Sequence, residues 1–258
     1  MPKFFKLILI RHGESVANLQ KELIGGRSPK AVLSPKGEIQ AANLGKYFQK
    51  KFLETGQKLD VIYASPLVRC EQTAKICLEN YHSDLISKIK FDERLTEFSQ
   101  GDWEGKIRSQ IYTLQTQNLI NKQKSWFKPP KGESLRMLKN RATNFLETEI
   151  MNKFWQNDWE KDYQNSSENY QENLQENLRN LQTLEEIKQE KKLENKDLEQ
   201  KTIVIFGHGM WIKVLLMEVL GLDQIVTVNL QVDNCSLTEL EFGDFGWRLC
   251  RFNQVLEI

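Results

Sequence analysis

Three short runs contain only apolar residues and are rich in β-branched ones: Leu7-Ile8-Leu9-Ile10, Val61-Ile62-Tyr63-Ala64 and Ile203-Val204-Ile205-Phe206. A strand with one wet face alternates apolar and polar positions. Runs without a polar position therefore predict strands buried on both faces, as in a parallel sheet covered by helices. Elsewhere the apolar residues recur at helical spacing. Ala41, Leu44, Phe48 and Phe52 predict a helix after Ser34-Pro35, with serine as N-cap and proline at the first helical position. Ser65-Pro66 offers the same pair and predicts a helix with Arg69 one turn inside. Leu135, Leu138, Ala142, Phe145 and Phe154 predict a helix after Gly132; Val214, Leu215 and Val219 predict one from about Met210. The stretches from Ser236 to Phe242 and Trp247 to Val255 alternate as a hairpin at a sheet edge. The expected class is α/β, three layers (α/β/α) around a mostly parallel central sheet.

One segment breaks this rhythm. Of the 45 residues in 157–201, 28 are Asn, Gln, Glu or Lys, and 12 acids outnumber 7 bases. The whole chain carries only +1, from 36 basic and 35 acidic residues, so the remainder is mildly basic and suits a small anionic substrate. Leu174, Leu178, Leu181, Leu184 and Ile187 approach helical spacing without a clean heptad. The expectation is one domain over 1–258 with a solvated insertion at about 157–201, where any partner contact would fall. The near-neutral charge gives no case for nucleic acid or a membrane surface, and no apolar stretch approaches the roughly 20 residues of a span. Lys6 interrupts the first apolar run and no small-residue cleavage site follows, so no signal peptide is expected. Cys70, Cys77, Cys235 and Cys250 form no CxxC or metal-ligand spacing, which points to a reduced, cytoplasmic protein without metal or cofactor.

Of three histidines, His12 and His208 each follow a predicted strand and precede a glycine. Ligands of open parallel sheets bind beyond the carboxyl ends of the strands, so both imidazoles belong on the binding side. A lone histidine there more often packs or caps; two in the same context outweigh that reading. His82 lies in a polar loop and has no assigned role. Arg11 precedes His12, and Arg69 lies near a helix N-terminus at the same edge. Helix N-termini and guanidinium forks both favour phosphate, so the four side chains form a candidate oxyanion clamp. No P-loop, HExxH or Cys/His cluster accompanies it.

These residues sit within a longer series of motifs. Arg11-His12-Gly13-Glu14-Ser15 with Asn18, Leu33 to Gly37, Ser65-Pro66 through Arg69 to Thr73-Ala74, Leu95 to Gly105, Gly132-Glu133-Ser134 and Gly207-His208-Gly209 occur in that order. Together they resemble the signature of the histidine phosphatase superfamily, the phosphoglycerate-mutase-like group, from Phe4 to about Phe242 with only the polar segment unmatched. The resemblance implies a phosphoglycerate-mutase-like fold and phosphoryl transfer through a phosphohistidine. By that resemblance His12 is the nucleophile, and Arg11, Arg69 and His208 hold the phosphoryl oxygens. Glu97 is then the proton donor to the leaving group and the base for water; taken alone it would read as a loop carboxylate in an ion pair. Gly13, Ser15, Asn18, Gly25, Gly26 and Gly209 match substrate-binding positions, although Gly25-Gly26 equally suits a tight turn. Glu104 reads as structural. The implied activity is a metal-independent phosphatase acting on a small phosphorylated metabolite or a phosphoprotein. Phosphoglycerate mutase is the alternative. It is disfavoured because Gly101 to Gly105 is of the phosphatase kind and Lys106 to Lys131 offers a second clamp only one arginine, Arg108. A non-catalytic scaffold on the same fold is a third reading.

Overall fold

The computed structural model describes residues 5–155 and 201–256. The expected insertion lies outside the described residues except for Lys201, which opens a strand. Among the described residues six strands form one sheet: β1 (Phe5–Arg11), β2 (Val61–Ala64), β3 (Ile89–Phe91), β4 (Lys201–Gly207), β5 (Leu237–Gly243) and β6 (Gly246–Gln254). Their order is β3-β2-β4-β1-β5-β6, parallel from β3 to β1, with β5 antiparallel to β1 and β6 antiparallel to β5. The three apolar runs are the central strands, and the C-terminal pair is the expected edge hairpin.

Side chains alternate between two cores, as the strand period of two requires. Leu7, Leu9, Ile203 and Ile205 face the helices α4 (Leu135–Phe145) and α5 (Gly209–Leu220) through Leu138, Ala142, Trp211 and Leu215. Ile8, Ile10, Val204 and Phe206 face α1 (Pro35–Thr55) and α2 (Val68–Tyr81) through Leu44, Phe48, Cys77 and Leu78. A smaller helix, α3 (Leu114–Gln123), buries none of its residues. The helix after Gly132 does not run on regularly to Phe154. It passes into a π-helical stretch, Leu146–Met151, which keeps Leu146 and Ile150 both buried. No helix among the described residues is long and apolar enough to cross a membrane.

The two serine-proline pairs behave differently. Ser34 Oγ caps α1 by accepting from Gly37 N–H at 3.1 Å. Ser65, contrary to expectation, is not the N-cap of α2: its own N–H donates to Phe206 O at 2.9 Å, prolonging the sheet register, its Oγ accepts from Leu67 N–H at 3.3 Å, and α2 starts only at Val68. Its buried hydroxyl is thereby delivered to His208.

Candidate active site

The carboxyl ends of β1, β2 and β4 meet at a cleft of about 390 Å³. His12 emerges from β1, and its Nδ1 lies 2.7 Å from Gly13 O, an acceptor that requires the proton on Nδ1. The other nitrogen, Nε2, accepts from Arg69 Nε at 3.1 Å. The ring is thus held neutral with its lone pair on the cleft side. Burial lowers the His12 pKa well below its ordinary 6.5, and Arg69 and Arg11 lower it further. His208, completely buried, lies behind it with ring centroids 5.2 Å apart. Its Nε2 is 2.8 Å from Ser65 Oγ and 3.4 Å from Cys70 Sγ, and burial followed by Arg69, His12 and Arg11 lowers its pKa strongly.

Arg11 donates through Nη1 to Val232 O at 2.6 Å, whereas its buried Nε has no partner among the described residues. Burial lowers its pKa, opposed by Glu97 and Asp233, and a guanidinium stays charged nonetheless. Arg69, in the first turn of α2, also donates through Nη2 to Gly26 O at 2.9 Å. Glu97 shares the cleft; Oε1 accepts from Phe98 N–H at 2.7 Å and Oε2 lies 3.4 Å from Met210 N. Two neighbouring carboxylates are engaged elsewhere. Glu14 accepts from Ser34 Oγ and pairs with Lys36, outside the cleft lining, while Glu104 accepts from Arg27 N–H and Gln100 N–H.

Ser15, Asn18, Gly25 and Gly26 line the cleft. Ser15 Oγ bonds Asn18 Oδ1, which also accepts from Asn234 Nδ2 at 3.2 Å. Asn234 Nδ2 in turn holds His12 O at 3.0 Å, a contact with no signal in the sequence pattern. Gly13, His208 and Gly209 do not line the cleft. Gly13 N–H is taken by Thr73 Oγ1 at 3.0 Å, and a Cβ here would come within 2.6 Å of Gly37 O, so this glycine serves the approach of β1 to α1. Gly209 opens α5 beside the Arg11 guanidinium. Arg27, Glu133 and Arg141 form a network behind Glu97 that sequence reasoning did not assign, and Arg108 joins the cleft wall. The loops 20–31 and 105–108 are zipped together: Ile24 N–H donates to Lys106 O, Gly105 N–H to Ile24 O and Arg108 N–H to Glu22 O. Among the described residues no group of three or more His, Cys, Asp or Glu side chains could hold a metal ion.

The chain is similar to known proteins. A fructose-2,6-bisphosphatase TIGAR of Xenopus tropicalis is 32% identical over 143 residues, 55% of this chain and 49% of that protein. A 2,3-bisphosphoglycerate-dependent phosphoglycerate mutase of Bartonella henselae is 36% identical over 132 residues, 50% of this chain and 61% of that protein. The chain thus spans about half to three fifths of the length of these relatives. A mycobacterial glucosyl-3-phosphoglycerate phosphatase shares the fold, with a TM-score of 0.66 at 22% identity, covering 97% of this chain and 99% of that one. The family model for the histidine phosphatase superfamily, branch 1, matches residues 7–157 and 148–255, the second range running through the polar segment, and the chain belongs to that family.

Proposed function

We propose that the protein is a phosphomonoesterase working through a phosphohistidine on His12. The observation that carries this reading is the fixed tautomer of His12: Nδ1 is anchored on Gly13 O, and Nε2, without a proton, accepts from Arg69 Nε in the cleft that Arg11 and Glu97 also line. In the first step the Arg69 Nε–H hydrogen bond passes from Nε2 to a phosphoryl oxygen, and the freed Nε2 lone pair attacks phosphorus. The P–O bond breaks, its electrons pass to the ester oxygen, and Glu97 supplies the proton to that oxygen. Arg69 Nε and the unpartnered Arg11 Nε supply hydrogen bonds to the phosphoryl oxygens, stabilising charge as it spreads over them. His208, buried behind the cleft and held by Ser65 Oγ, packs against the ring of His12. In the second step water attacks phosphorus, gives its proton to the Glu97 carboxylate, and the N–P electrons return to Nε2, releasing inorganic phosphate.

A cleft of about 390 Å³ suits a small phosphorylated metabolite better than a folded phosphoprotein. A mutase needs a second anion clamp that excludes water. The wall here offers Arg108, already donating to Leu23 O at 3.3 Å, and this favours hydrolysis. We assign the activity to one domain, any partner contact to the 157–201 segment, and a cytoplasmic setting, in keeping with four free thiols. The test is a phosphate-release screen over a metabolite panel that includes 2- and 3-phosphoglycerate with an isomerisation readout. Phosphate release is expected; isomerisation without release would replace phosphatase by mutase, and no turnover on any ester would favour a scaffold.

A further inference from the structure

Glu97, the acid of the proposed reaction, is gripped by a residue that the reaction itself does not use. Arg27 follows the Gly25-Gly26 turn in a stretch without regular secondary structure. Its Nε donates to the Glu97 carbonyl at 2.7 Å and its Nη2 to Glu133 Oε1 at 2.9 Å. Arg141, from α4, reaches the same carbonyl through Nη2 at 2.9 Å, and grips both oxygens of Glu133 at 2.7 and 3.1 Å. Buried Glu133 also accepts from Ser99 N–H at 2.9 Å, so one carboxylate lets two guanidinium groups converge on a single carbonyl. The two arginines differ in origin. Arg141 belongs to the helical frame. Arg27 belongs to the cleft loop, where Gly26 O accepts from Arg69 and Arg27 N–H donates to Glu104 Oε2 at 2.9 Å.

We propose that Arg27 is a positioning residue for Glu97, tying the acid to the loop whose Gly26 carbonyl holds the phosphoryl-binding Arg69. The assignment rests on the reading of Glu97 as general acid. Its consequence is selective: losing Arg27 weakens proton donation to the leaving group more than it weakens attack on phosphorus. The substitution leaves a testable protein, because Arg27 is 36% exposed and Glu133 keeps its Arg141 partner.

The experiment measures kcat/KM, which in this two-step reaction reports transfer to His12 and not the later hydrolysis. Nitrophenyl, phenyl and alkyl phosphates are compared for wild type, R27A, R27K, E97Q and the R27A/E97Q double variant, with circular dichroism to verify folding. General acid catalysis is worth about a hundred- to ten-thousand-fold, and misplacement by about 1 Å costs up to about a hundredfold. R27A is expected to lose about ten- to a hundredfold on alkyl phosphate and less than about threefold on nitrophenyl phosphate. R27K, able to make one of the two contacts, should recover part of the loss. The double variant should be no worse than E97Q on alkyl phosphate, since the two act through one group. Equal loss on every ester, or additive losses, overturns the assignment; if R27A does not fold, the selectivity of R27K decides it. A wild type inert on every ester contradicts the phosphatase reading itself and takes this assignment with it, whereas an active wild type with uniform R27A loss contradicts the assignment alone.

Discussion

Burial and two neighbouring guanidinium groups act in the same direction on His12 and His208, and the result extends beyond catalysis. In the unfolded chain both titrate near 6.5, whereas in the folded protein both take a proton only at lower pH. As pH falls below about 6.5 the unfolded chain binds more protons than the folded one, so stability declines from there downward until the folded-state values are passed. Denaturant titrations between about pH 8 and about pH 5 should show this decline, with a shallower slope in His208→Asn; a flat profile would contradict burial of neutral imidazoles. At Glu97, nitrophenolate departs largely unaided while an alkoxide needs a proton. Glu97→Gln should therefore give a burst of nitrophenol followed by slow turnover, and on alkyl phosphates a loss of about a hundredfold or more. Equal losses with no burst would move Glu97 from acid to a binding role. The two histidines were legible because strand ends point side chains at a ligand whatever the rest of the fold does. Arg27 and Arg141 were not, because their role depends on one carbonyl and one carboxylate that only the folded chain brings together.

Apolar runs and helical spacing located the central strands, the long helices and the edge hairpin, since burial on both faces leaves a pattern that few other arrangements produce. Strand β3 was not legible: it is three residues, Ile89 to Phe91, and two of them are exposed. Ser65-Pro66 does not start its helix because an N-cap serine works through its side-chain oxygen, and Ser65 Oγ is held by Leu67 N–H and His208 ahead of the first turn. Displacing the helix start puts Ser65 Oγ on His208 and Arg69 on His12. The cleft loop is equally tight at Gly26, where an added Cβ would run into the Glu104 carboxylate that caps Arg27 N–H and Gln100 N–H. Gly26→Ala should thus lower kcat/KM on every ester by more than about tenfold, on the scale of a misplaced catalytic group, with little change in melting temperature. An unchanged kcat/KM would show that this turn does not set the position of Arg69.

Across the whole molecule, the described residues that flank the polar segment, Trp155 and Lys201, lie at the end of the sheet remote from the cleft. Trp155 packs on Phe242 at 4.9 Å between ring centroids, Phe242 lies opposite Phe5, and Phe5 lies opposite Lys201. The chemistry sits at the far end of β1, about 20 Å away at the rise of an extended strand. Replacing Ser166 to Asn195 with a short Gly/Ser linker should therefore leave kcat within a few-fold; a large loss with the fold intact would mean that the segment contributes to the cleft. The sheet, the two cores and the clamp all converge on one nitrogen, His12 Nε2, and the most direct test is to trap phosphate there. Wild-type protein quenched in base during turnover of a phosphoryl-labelled ester should carry the label on His12. His12→Ala should carry none and retain less than about a hundredth of the rate. Label on any other residue, or substantial turnover by His12→Ala, would contradict the account.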